Sequence, residues 1–294
     1  MLPGKILGFF HMYGLMIAVG ILCCFGVLFQ FGRKRKIQES FIDFVFYNAI
    51  VAIALGFGSA ALFQATYDYI ENPSAGFNFN GGITFIGGLI GGVVSFLLGY
   101  AIFRKKYKAR LVDIMPIVPC CITVAHAFGR VGCFFAGCCY GKQTDSFLGV
   151  HFPNVPGKVH PTQLYEAIFL FAIFAICYLL YWKKHFKHTM SLYLVCYGIF
   201  RFSLEYLRGD HRGELVGGIS PSQFWSILMV VIGVGVYFLL EWLFQKRFVE
   251  QATKTALETT EEGVTPETAE TVSAEVGLPC VEIVEEVNNE EGEK

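Results

Sequence analysis

Charge is scarce in this sequence. Asp, Glu, Lys and Arg make up 16% of its 294 residues, where soluble domains carry about 25%. That shortage excludes an ordinary water-soluble enzyme. The chain also lacks an internal repeat, which excludes solenoid and propeller architectures. Its ten cysteines contain no standard zinc-finger spacing: Cys133, Cys138 and Cys139 read Cys-x4-Cys-Cys. No small-x-small cleavage site follows the first apolar run, which ends instead in a basic stop, so that run is expected to stay in the membrane rather than act as a cleaved signal. A formal net charge of −1 argues neither for nor against nucleic acid, and none is expected as a partner.

What is present is apolar. Over half of the chain, 54%, is hydrophobic, and a bilayer crossing needs about 20 mostly apolar residues. Seven runs qualify, at about 11–32, 43–67, 83–103, 111–128, 161–182, 189–207 and 222–244. The basic residues choose alternate breaks between them. Arg33–Lys36, Arg104–Arg110, Lys183 with Lys184 and Lys187, and Lys246 with Arg247 follow the odd-numbered runs, while 68–82 has no Lys or Arg. Cytoplasmic loops carry the Lys/Arg excess. The expectation is an all-α polytopic membrane protein with seven transmembrane helices, its N-terminus outside and its C-terminus cytoplasmic.

The expected domain is 1–249. From 250 onward thirteen glutamates stand against two lysines, a composition that cannot bury a core, so 250–294 reads as a disordered acidic cytoplasmic tail. The glycines of Gly81–Gly92 read chiefly as close helix packing, with exposed backbone N–H groups for a phosphate as the second reading.

Three polar stretches interrupt the apolar pattern. The first runs from His126 to Gly141 and holds His126, Arg130 and the three cysteines. His126 and Arg130 lie one turn apart if helix continues that far, and Gly129, Gly132 and Gly137 suggest that it soon bends. The cysteines admit a disulfide, a soft-metal site, a reactive thiol or packing. The second stretch is His160-Pro-Thr-Gln-Leu-Tyr-Glu166, in which His160, Gln163 and Glu166 share about a third of a helix circumference, with Tyr165 beside them. A capping histidine and an interfacial tyrosine are ordinary, but Glu166 lies more than a turn into an apolar run. The third is Tyr197, Arg201, Glu205 and Arg208, spaced four, four and three, which predicts one helix face. An ion at mid-bilayer costs at least about 2.5–3.5 kcal/mol, so the stripe must face protein or water. Guanidinium forks match phosphate oxygens, whereas an internal Arg–Glu pair would only pin two helices together.

Together these stretches resemble the prolipoprotein diacylglyceryl transferases. The resemblance rests on Gly129-Arg-Val-Gly132, on His160 to Glu166, and on Tyr197 through Arg208. Gly87-Gly-Leu-Ile-Gly91 and Gly218-Ile-Ser-Pro-Ser-Gln223 add to it, over roughly residues 10–245. It implies a bacterial plasma-membrane enzyme that moves diacylglycerol from phosphatidylglycerol to a lipobox cysteine in the signal-peptide region of a prolipoprotein, with glycerol phosphate leaving and no cofactor or metal required. By that resemblance Arg130 binds the lipid phosphate, and Arg201 and Arg208 position it and stabilise the leaving group. Tyr197 and Glu205 support the stripe, while Tyr165 and Glu166 orient the second helix. His126 is a candidate base, and His160, Gln163, Cys133 and Cys138 are candidate substrate contacts.

The sequence also departs from the family pattern. Cys133 and Cys138 stand where Asn and Glu are usual, Ile86 replaces a histidine, and an arginine expected near Gly56–Ala60 is absent. Two alternatives follow: an enzyme of the same fold whose loop cysteines do different thiol chemistry, or a non-catalytic membrane protein whose cysteines and His126 hold a metal.

Overall fold

The computed structural model describes residues 11–79, 82, 84–153, 155–209 and 218–261. It is built from helices: α1 (Met12–Lys34), α2 (Glu39–Glu71), α3 (Phe85–Phe103), the single turn α4 (Leu111–Ile114), α5 (Val118–Ala136), α6 (Thr162–Lys184), α7 (Thr189–Glu205) and α8 (Pro221–Glu261). A two-residue antiparallel ribbon, β1 (Val150–His151) with β2 (Lys158–Val159), lies between α5 and α6. Six helices, α1, α2, α3, α5, α6 and α8, are long and apolar enough to cross a membrane. This is a multi-pass membrane protein. α7 has 17 residues and is not among those six.

The large apolar side chains left exposed, among them Leu22, Ile70, Ile102 and Ile168, suit a bilayer, where lipid rather than protein covers the outer helix faces. The interior is aromatic and small-residue packing. Phe31 is fully buried among the rings of Tyr178, Tyr181 and Trp182, at centroid distances of 4.9, 5.0 and 5.6 Å. Phe169 of α6 stacks on Phe200 of α7 at 4.0 Å. Where α2 meets α3, a Cβ on Gly56 would come within 3.0 Å of the Gly88 carbonyl oxygen, and one on Gly88 within 3.3 Å of the Ala60 Cβ. Small residues let the two backbones touch. Of the described glycines in this segment, Gly87, Gly88, Gly91 and Gly92 work in packing, while Gly82 has open space around it; Gly81 and Ile83 lie outside the described residues.

The fourth apolar run is displaced from its expected position. Continuous helix begins only at Val118, with Pro119 in its first turn, where a missing N–H costs nothing. Residues 111–117 form α4 and a turn instead. The helix then continues through Gly129 and Gly132 to Ala136 and ends at Gly137 in the left-handed conformation (φ 69°), the usual glycine stop. The bend expected among Gly129, Gly132 and Gly137 thus falls at the last of the three, about two turns beyond Gly129.

The chain divides at Gly233/Val234 into two units. The first contains every site residue considered below. In the second, α8 passes the composition break at 250 and ends at Glu261. The rest of the acidic tail, 262–294, lies outside the described residues.

Candidate active site

The site forms where the three polar stretches meet. α5 continues to Ala136, so His126 and Arg130 lie one turn apart on the same helix face. α6 begins at Thr162, which places Glu166 one turn inside, where it is 1% exposed. α7 contributes Tyr197, packed edge-on against His126 at 5.3 Å between ring centroids.

Glu166 is the centre of this arrangement. Its Oε1 accepts the Tyr197 hydroxyl at 2.6 Å and lies 3.0 Å from Arg130 Nε. His126 Nε2 is 3.7 Å from the same oxygen and accepts the Arg130 Nε–H at 3.3 Å. A buried carboxylate is tolerated only when paired and hydrogen-bonded, and here one arginine and one tyrosine satisfy it. Arg130 spends only its Nε on these partners. Among the described residues its two Nη groups have no hydrogen-bond partner, which leaves the guanidinium fork for a ligand.

A second cluster sits further along α7. Arg201 donates to Glu205 Oε2 at 2.7 Å and to Ser222 Oγ at 3.0 Å, and Ser220 Oγ donates to Glu205 Oε1 at 3.0 Å. Neither serine was singled out from the sequence as a site residue. The available signal was Ser220-Pro-Ser-Gln223, a capping box at the start of α8: Gln223 N–H donates to Ser220 Oγ at 3.2 Å, and Ser220 N–H to Gln223 Oε1 at 3.0 Å. This cap fixes both hydroxyls at the helix start, where they face the Arg201–Glu205 pair.

The expected four-residue helix stripe is corrected at Arg208. α7 ends at Glu205, and Arg208 instead forms a backbone bridge with Gly141. The Lys142 N–H donates to the Leu207 carbonyl at 2.8 Å, and the Gly141 N–H to the His160 carbonyl at 2.8 Å. The segment after α5 is thereby stitched to the segment before α6 and to the one after α7. Gly141 is required at this crossing, because a Cβ there would stand 2.5 Å from the Leu207 carbonyl oxygen. The stitch brings the Arg208 side chain, 6% exposed, onto the Cys139 thiol.

The cysteines also differ from their expected setting. Cys133 is in the last turn of α5, and only Cys138 and Cys139 are in the loop. The turn at Gly137 folds that loop back, so the three sulfur atoms lie within 4.8 Å of one another. All three are free thiols. Hydrogen bonds from Cys133 and Cys138, then the Arg208 guanidinium, hold the Cys139 thiol well below the usual thiol range. The start of α6 grips the same loop. Gln163 Nε2 donates to the Cys138 carbonyl at 2.5 Å, and Thr162 Oγ1 to the Cys139 carbonyl at 2.8 Å. His160 and Tyr165 meet each other, Nδ1 to hydroxyl at 3.2 Å, rather than joining Glu166.

Ion pairs enclosed among apolar helices define a membrane protein with a polar site inside its helix bundle. The sequence matches the family described as prolipoprotein diacylglyceryl transferase over residues 5–239. A phosphatidylglycerol–prolipoprotein diacylglyceryl transferase of Clostridium tetani is 38% identical over 76% of this chain and 91% of its own length. One from Clostridium perfringens is 36% identical over 80% and 93%, and one from Campylobacter curvus 33% over 79% and 90%. The chain belongs to the prolipoprotein diacylglyceryl transferase family.

Proposed function

We propose that this protein is a phosphatidylglycerol–prolipoprotein diacylglyceryl transferase of the bacterial plasma membrane, crossing it seven times with α7 as the additional crossing, N-terminus outside and C-terminus cytoplasmic. Its substrates are phosphatidylglycerol and the cysteine of a prolipoprotein signal-peptide region. The observation that carries the reading is Arg130: its Nε is held by Glu166 and His126, while its Nη fork has no hydrogen-bond partner among the described residues. Such a guanidinium can take a phosphate and still be paired with Glu166 when the ligand departs.

In the proposed reaction the cysteine sulfur attacks the diacylglycerol carbon that bears the phosphate. A C–S bond forms, the C–O bond to phosphate breaks, and glycerol phosphate leaves with the electron pair. The Nη fork of Arg130 takes the phosphate oxygens bidentately. Arg208 and Arg201 stabilise the negative charge that builds on the leaving group. The thiol, with an ordinary pKa of about 8.5, needs a base, and His126 serves. Its Nε2 accepts from Arg130; on taking a proton the ring becomes a cation, and the Glu166 carboxylate, 3.7 Å away, offsets its charge. Tyr197 holds that carboxylate in place, while Glu205 and the serines hold Arg201. Cys133 and Cys138, with Gln163 and His160, contact the substrates.

The test is transfer of labelled diacylglycerol to a lipobox reporter in bacteria depleted of their own enzyme. Transfer that is abolished by Arg130→Ala and by Arg208→Ala, with both variants still inserted, supports the reading. No transfer by the parent protein, or full transfer by both variants, overturns it.

A further inference from the structure

We propose that Cys133, Cys138 and Cys139 form a binding site for a thiophilic d10 cation of the Zn2+ type, at the edge of the lipid site. The three sulfurs come from a helix end and a reversed loop, yet all lie within 4.8 Å of one another. Tetrahedral zinc with Zn–S bonds of about 2.3 Å places thiolates about 3.8 Å apart. The cluster therefore needs a closure of at most about 1 Å, which side-chain rotation supplies. Two of the sulfurs are only partly covered and Cys138 is exposed, so an ion has a way in.

The surroundings suit a charged complex. Three thiolates around a dication leave one negative charge, and the Arg208 guanidinium already meets Cys139. The fourth position would be held by water, as in zinc sites with three protein ligands. Gln163 offers that water an acceptor. Its Nε2 is committed to the Cys138 carbonyl, while its Oε1 is buried and has no partner among the described residues. A buried polar atom of this kind calls for a partner that the described residues do not provide. On binding, the thiol protons go to bulk water.

The site is distinct from the Arg130–Glu166 centre, and its test does not depend on transfer activity. Full-length protein in detergent, reduced with a phosphine and stripped with a chelator, is titrated first with Co2+ and then with Zn2+. The expected result is one Co2+ per chain with a thiolate-to-cobalt charge-transfer band, which Zn2+ then displaces. Cys139→Ser is expected to weaken zinc binding at least 100-fold, while Cys121→Ser, in the buried helix interior, leaves it unchanged. Where Cys139→Ser is poorly folded, the unmutated protein carries the test: zinc is expected to protect Cys138 from a water-soluble maleimide at least tenfold. Failure of the fully reduced parent to take up either metal, equal zinc retention by the Cys139→Ser variant, or an unprotected Cys138 in zinc-loaded protein each overturns the proposal.

Discussion

Removing the charges of Arg130 and Glu166 one at a time and then together separates ligand binding from structural pinning. Glu166 is buried, with Arg130 Nε at 3.0 Å. Loss of Arg130 leaves Glu166 as an uncompensated buried charge, which costs about 3–5 kcal/mol; loss of Glu166 costs less, because Arg130 is partly exposed. Arg130→Met and Glu166→Gln alone should therefore each lower the unfolding temperature in detergent. Glu166→Gln keeps an acceptor for the Tyr197 hydroxyl. In the double variant the amide oxygen still accepts the Tyr197 hydroxyl. Both charges are gone and that hydrogen bond is kept, so the double variant should regain most of the lost stability. Transfer should not return. Losing a phosphate contact through a charged donor removes about 3 kcal/mol at the upper end, roughly a 150-fold slower reaction. The measurements are thermal unfolding and single-turnover transfer on all four proteins. If the double variant regained both stability and transfer, Arg130 would be only a counter-ion to Glu166, and its assignment to phosphate would be refuted.

Gly141→Ala should reduce transfer at least tenfold without altering any charge, because a Cβ there meets the Leu207 carbonyl and displaces the strand bearing Arg208; normal transfer would show that this bridge does not position the arginine. Gly88→Val should destabilise the protein by about 1–3 kcal/mol through overpacking against Ala60, read as a lower midpoint of thermal unfolding, with an unchanged midpoint refuting the close α2–α3 contact. Ser222→Ala removes one of two partners of Arg201 and should slow transfer about tenfold while Ser222→Thr restores it; equal loss in both would point to packing rather than the hydroxyl. Reporter fusions after Lys36, Lys106 and Lys187 should all report the cytoplasmic side, and a fusion after Asn72 the outside; any other pattern overturns the orientation.

The helices and the meeting of three polar stretches were legible in the sequence because ions in apolar runs have few places to go. Glu166 could be singled out from its depth alone. Its partners could be identified only by type, since spacing within α6 says nothing about which residue of α7 comes opposite; that turned out to be Tyr197, not an arginine. Arg208 was placed on the wrong element. Its spacing from Glu205 fits a helix, but the backbone bridge to Gly141 joins segments far apart in sequence, and helix periodicity carries no trace of such a pairing. The cysteine cluster was visible as three nearby thiols, but its closeness depends on Gly137 ending α5 in a left-handed turn. Ser220 and Ser222 were hidden by their own local role, because a capping serine next to a proline reads as a helix start and nothing more.

The 17 residues of α7 rise about 26 Å at about 1.5 Å each, less than the roughly 30 Å of a bilayer's hydrocarbon core. In the seven-crossing arrangement this helix is too short for the membrane around it. A short crossing helix is met by thinning of the adjacent lipid. The headgroup layer beside α7 is then drawn toward the midplane, on the helix that carries Arg201. Part of the work of bringing a phosphate to a buried arginine would fall to the bilayer, and transfer should be faster in thin-chain lipids than in thick ones.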